Sequence, residues 1–175
     1  MKKIIIKYGL ISGAFAAVNL LFVTLILKFY GFDSKAFEYS AYVGYSVIIL
    51  SMVVIFFGVK AYRDAENEGT MTFTNGLLIG LGIALLSSVC YSLVWLVIYY
   101  NFLPNFMEDY ATFCTNKLKQ SGANALELSK NEAEMQQFKD LYKTPFGVFA
   151  ITLIEPLPIG ILGALVSAFI LKKKQ

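Results

Sequence analysis

Four long runs without a charged residue set the pattern of apolar and polar positions along this chain. Residues 8–27 lie between Lys7 and Lys28, and residues 39–59 lie between Glu38 and Lys60. A third run, 69–107, has its apolar body at 76–100, and a fourth, between Lys143 and Lys172, is interrupted only by Glu155. A helix rises 1.5 Å per residue, so about 20 apolar residues cross the roughly 30 Å hydrocarbon core of a bilayer. Each run meets that length. None alternates with the period of a membrane β-strand, so each is predicted as a helix that satisfies its backbone hydrogen bonds internally. The expected fold is all-α, a single four-helix membrane domain over 1–175 with spans near 8–27, 39–59, 76–100 and 147–171.

The segment 101–144 follows a different rule. Leu118, Ala125, Leu128, Ala133, Met135, Phe138, Leu141 and Tyr142 recur at helical spacing among Lys, Glu and Gln. Ser121-Gly122 is a break signal between them. Two amphipathic helices are predicted, near 105–120 and 123–142, as a hairpin between the third and fourth spans. Covering its apolar faces against the membrane surface or the spans is one role for the hairpin; docking a partner or an extracytoplasmic ligand is the other.

Charge orients the spans. Lys2, Lys3, Lys7, Lys60, Arg63, Lys172, Lys173 and Lys174 all fall in short flanks on one side. The other side has Lys28 and Lys35 in a short loop and the remaining lysines spread over the hairpin. Short cation-rich flanks stay in the cytoplasm, so both termini are expected there and the hairpin outside. Phe29, Tyr30, Phe32, Phe37, Tyr39, Trp95, Tyr99, Tyr100 and Phe102 crowd the outer ends, where amphipathic rings favour the headgroup layer. Ala14-Phe15-Ala16 after Lys2-Lys3 has the form of a secretory cleavage signal, yet the apolar run continues to Leu27 and reads as an uncleaved first span.

Composition narrows the function. Hydrophobic residues make up 57% of the chain and charged residues 15%, whereas a soluble domain has just under half apolar and about a quarter charged. An ordinary cytosolic enzyme, a disordered chain and a disulfide-stapled module are excluded. There is no histidine, which removes the commonest general base and metal ligand. Two cysteines cannot form a four-ligand zinc site. Cys90, in mid-span, is expected to pack as a small apolar residue, and Cys114, in the outer segment, to be a free thiol or an intermolecular disulfide. The glycines at 76–82 lack the lysine and hydroxyl of a phosphate loop. Neither an enzyme nor a cofactor is expected. The net charge of +3 comes largely from membrane-flanking lysines and gives no nucleic-acid patch; Lys172-Lys173-Lys174 read as an anchor on anionic lipid.

Glu155 is the strongest candidate for chemistry, because a carboxylate within a span faces a bundle interior or a wet path. Pro156 and Pro158 each remove an N–H from the helix ladder, so the fourth span is expected to kink or break there. Pro156 is also expected to push Glu155 out of the helical region. A broken helix beside a carboxylate is one way to build a cation or proton site. The alternative is structural, a protonated Glu155 hydrogen-bonded to a neighbouring helix. Asn19 in the first span is the polar partner the sequence offers. Ser87, Ser88, Tyr91 and Ser92 form a polar cluster in the third span that bonds across helices or lines a narrow path.

Small residues at four-residue spacing mark packing faces: Gly9, Gly13 and Ala17; Gly76, Gly80 and Ala84; Gly160, Ala164 and Ala168. Such faces let helices approach closely, within the bundle or at a dimer seam. Arg63, Asp64, Glu66 and Glu68 occupy the cytoplasmic turn, as a solvated loop or as a regulatory or partner-binding site.

Arg63-Asp64, Gly69, Phe73 and Gly80, then Thr144-Pro145, Glu155-Pro156-Leu157-Pro158-Ile159-Gly160 and Leu165-Val166-Ser167-Ala168 form a layout that spans nearly the whole chain. It resembles the four-helix membrane proteins of Bacteroidetes catalogued as domain of unknown function 4199. The resemblance implies a four-span bacterial inner-membrane protein and supplies no activity, ligand or catalytic residue. Two functions are carried forward. One is a non-enzymatic accessory, assembly or sensing subunit that works through lipids, a second copy or a membrane-protein partner. The other is a small oligomeric permease or ion-coupled transporter using Glu155.

Overall fold

The computed structural model describes residues 1–32, 35–66 and 69–173, so Glu68 and Lys174 lie outside the described residues. Within them the chain runs through α1 (Lys2–Tyr30), α2 (Lys35–Glu66), α3 (Phe73–Asn101), α4 (Phe106–Gln120), α5 (Ala125–Tyr142), α6 (Pro145–Ile154) and α7 (Leu157–Leu171). Four segments are long and apolar enough to cross a membrane: α1, α2, α3 and the combined Pro145–Leu171. The helices overrun the uncharged cores. With 29 and 32 residues, α1 and α2 are about 43 and 48 Å long at 1.5 Å per residue. The stop of α1 is set by a backbone signal rather than by loss of hydrophobicity. Gly31 takes φ 73° and donates its N–H to the Leu27 carbonyl at 3.0 Å, closing α1.

The hairpin forms close to its predicted bounds. Its second helix starts on a reciprocal capping box: the Glu127 N–H donates to Asn124 Oδ1 at 3.0 Å, and the Asn124 N–H to Glu127 Oε2 at 2.8 Å. Thr144 caps α6 by accepting the Gly147 N–H at 3.0 Å, with Pro145 at the first helical position, where a missing N–H costs nothing.

Both ends of the described chain lie at one end of the bundle. Met71, just before α3, and Lys173, just after α7, exchange backbone hydrogen bonds of 3.0 Å each way. At the same end Tyr8 packs on Gly58 and Ile5 on Gly82. Gly31 and Phe32, which follow α1, and the α4–α5 hairpin occupy the other, distal end. The proximal half is tightly packed around Ile55, Val59, Met71, Ile79, Ile83, Ala164 and Leu171.

Small residues make the seams of this half. Gly76 faces Ala168, Gly80 faces Ala164, and Gly160 faces Ala84, so α3 and α7 meet with almost no side chain between them. On the opposite side of α3, Gly9 and Gly13 receive Leu86 and Cys90. These stripes therefore lie inside the bundle. The outward faces are apolar; Phe15, Val18 and Phe169 are each at least 60% exposed in the bare protein, a surface suited to lipid tails.

At the kink one expectation is corrected. Glu155 remains in the right-handed helical region (φ −57°, ψ −54°), as does Pro156 (φ −81°, ψ −16°). The residue before a proline is biased against this region but not barred from it, and proline-kinked helices are the exception. The fourth span is thus divided into α6 and α7 while its backbone stays near-helical. Along the bundle α2 packs against α1, α3 and α7.

A candidate binding cavity beneath the distal cap

A cavity of about 400 Å³ opens between the distal halves of the spans and the hairpin above them. Its wall follows helical phase. Ser87, Tyr91 and Trp95 of α3 lie four residues apart and share one face; Ala16, Asn19, Leu20, Val23 and Leu27 do the same on α1. Ser40, Gly44, Tyr45 and Ser51 of α2 and Ile151, Glu155 and Pro156 of the fourth span close two further sides. Met107 and Tyr110 of α4 with Met135, Phe138 and Tyr142 of α5 form the roof.

Few hydrogen bonds cross this space. The Tyr91 hydroxyl donates to Glu155 Oε2 at 3.4 Å. Tyr91, and not Asn19, is therefore the partner that reaches the carboxylate. Asn19 lines the same cavity, and its Oδ1 is buried without a hydrogen-bond partner. At the cavity floor the Ser87 hydroxyl donates to Ser12 at 2.9 Å, a buried link between α3 and α1. Ser88 and Ser92 instead donate to the Ala84 and Ser88 carbonyls of their own helix, so the serine cluster splits into one cross-helix bond and two local ones.

The roof is attached by aromatic rings. Phe106 packs edge-on against Trp95 with centroids 4.8 Å apart, Phe113 against Phe37 at 4.8 Å, and Tyr142 against Tyr99 at 5.3 Å. An exposed ion pair, Lys117 Nζ to Glu38 Oε1 at 3.1 Å, adds a link from α4 to α2. Burial beneath the hairpin, together with the neighbouring Cys114 thiol, pushes the Tyr110 phenol up to about 12. Burial also raises Tyr142, partly offset by hydrogen bonding with the Thr152 and Trp95 side chains. Both phenols are therefore neutral donors over the physiological range.

The remaining candidates lie apart from the cavity. Arg63 and Asp64 lie in the last turn of α2 rather than in a loop, with Arg63 Nε on Asp64 Oδ1 at 2.7 Å and the Arg63 carbonyl accepting the Gly69 N–H. Cys90 sits in the α1–α3 seam against Gly13, and both cysteines are free thiols. Among the described residues no group of three or more His, Cys, Asp or Glu converges as a metal site. Tyr45, Trp95, Tyr110, Met135 and Phe138 were not singled out as cavity residues by the sequence. The signal that exposes the α3 wall is the four-residue phase of Ser87, Tyr91 and Trp95; nothing local places the roof over it.

The family model "Protein of unknown function (DUF4199)" matches residues 7–173. The chain belongs to that family. Comparison with curated proteins and with solved structures gives no match. In this DUF4199 protein, the matched region contains the whole cavity wall and both helices of its roof.

Proposed function

We propose that this DUF4199 protein is a non-enzymatic protein of the bacterial inner membrane. Both termini lie in the cytoplasm, and an external helical cap covers a cavity for a small amphipathic molecule. It acts as a sensing or accessory subunit, passing occupancy of the cavity through the cap to a membrane-protein partner or a second copy. The observation that carries this reading is the cavity itself. Its volume falls within the roughly 300–1,000 Å³ range of small-molecule sites, and its lining is mostly apolar with a few polar groups. Orientation is supported by Lys2, Lys3, Lys7, Lys60, Arg63, Lys172 and Lys173 at the proximal end.

The test is native mass spectrometry of the untagged protein released from its own membrane in nanodiscs. A retained small molecule, together with a stoichiometric partner or a second copy, is the expected result. A protein that is always empty and monomeric would remove this function. A second reading is favoured by one observation, the carboxylate beside a divided helix: a small oligomeric ion-coupled permease. Flux in proteoliposomes that disappears in Glu155→Gln would select it.

A further inference from the structure

Resting on the reading of the cavity as an amphiphile site, we infer that its ligand is a lipophilic monovalent cation, an organic ammonium or its equivalent. Glu155 supplies the one formal charge of the lining, and among the described residues no lysine or arginine joins it there. Its hydrogen-bond partner is a neutral phenol, Tyr91, which orients the carboxylate without neutralising it. A carboxylate within a span is matched by an opposite charge or by a proton, and no lysine or arginine among the described residues lines the cavity to supply the charge. Two acceptors of the lining act in the same sense. The Asn19 Oδ1 is an acceptor without a donor, and Ser40 spends its hydroxyl proton on the Phe37 carbonyl, leaving lone pairs on its oxygen.

The apolar part of the wall suits the same ligand. Aromatic faces attract cations through their quadrupoles, by about 0.5–2 kcal/mol per contact and most for tryptophan, and cages of such rings recognise quaternary ammonium groups. Trp95, Tyr45, Tyr110, Phe138 and Tyr142 line the same cavity as the carboxylate. An anionic amphiphile would meet Glu155 with no cation to offset it.

Trp95 is the sole tryptophan of the chain and lines the cavity, so its fluorescence reports occupancy directly. The experiment titrates protein in neutral-lipid nanodiscs with tetraphenylphosphonium and, separately, with tetraphenylborate, an ion of nearly the same shape and opposite charge. Saturable perturbation of Trp95 by the cation, at least tenfold tighter than by the anion, is expected. Glu155→Gln should reduce that preference tenfold or more, and Glu155→Asp should retain it. Equal perturbation by both ions in the wild-type protein overturns the cation inference and leaves an amphiphile site. Perturbation by neither ion removes the amphiphile site as well. The wild-type comparison decides the matter even if a Glu155 variant fails to fold.

Discussion

A methyl group added at Gly80 would lie 2.8 Å from the Ala164 Cα and 2.7 Å from its Cβ, closer than atoms in a folded protein approach. The obstacle is backbone on the facing helix, which cannot rotate away as a long side chain can. Gly80→Val should therefore destabilise the bundle by about 1–3 kcal/mol or more, the usual cost of overpacking. Thermal unfolding in detergent would detect it as a lower midpoint. By contrast, Gly44 has nothing within 4 Å of an added Cβ, and Gly44→Ala should leave that midpoint nearly unchanged. The Ser12–Ser87 pair gives a second test at this scale. Each single alanine variant should lose about 0.6–2 kcal/mol, the span of values for interhelical hydrogen bonds in membranes. The double variant should lose less than the sum, because the second change removes a hydroxyl already deprived of its partner.

Among the elements, the divided fourth span decides where the cavity lies. Pro156 cannot donate to the Thr152 carbonyl four residues earlier, and its ring crowds that carbonyl, so the axis bends at this turn. Replacing it with alanine restores a donor where the backbone is already helical. Pro156→Ala should straighten the span, increasing the separation of spin labels placed at the exposed Phe146 and Ile170 positions, measured by pulsed dipolar spectroscopy. An unchanged separation would assign the bend to packing against α3. This division was readable from the sequence, since two prolines flanking Leu157 leave few alternatives, and so were the hairpin helices, which carry their own caps and break. Glu155 keeping helical angles was not readable, because tertiary packing overrides a local bias. The partnership of Tyr91 with Glu155 was hidden for another reason. Two residues 64 positions apart meet only through the rotation of α3 against the fourth span, and single-chain periodicity does not set that phase.

At the scale of the whole molecule, the two ends of the bundle are built for different tasks. The proximal half is sealed by glycine–alanine seams and by the Met71–Lys173 backbone pairing, which leaves little freedom to move. The distal half has its own buried cluster of Leu20, Trp95, Ile98 and Val148, and the hairpin is joined to it by rings at the tips of its elements and by the exposed Lys117–Glu38 ion pair, a class of interaction contributing about 0–1 kcal/mol. Motion in response to a ligand is therefore concentrated in the cap, and the sealed end acts as its anchor. This division has meaning only if the ends face different compartments. The lysine-rich sealed end should face the cytoplasm and the cap the outside, since cationic flanks resist translocation. Single cysteines at Ser121, exposed at the hairpin break, and at Lys173, beside the Met71 pairing, test this in a chain with Cys90 and Cys114 replaced by serine. In cells whose outer membrane is made permeable, a membrane-impermeant maleimide should label Ser121→Cys at once. Lys173→Cys should react only after the inner membrane is opened. Labelling in the reverse order would invert the protein and place the cavity mouth in the cytoplasmic leaflet, so its ligand would come from the cell interior.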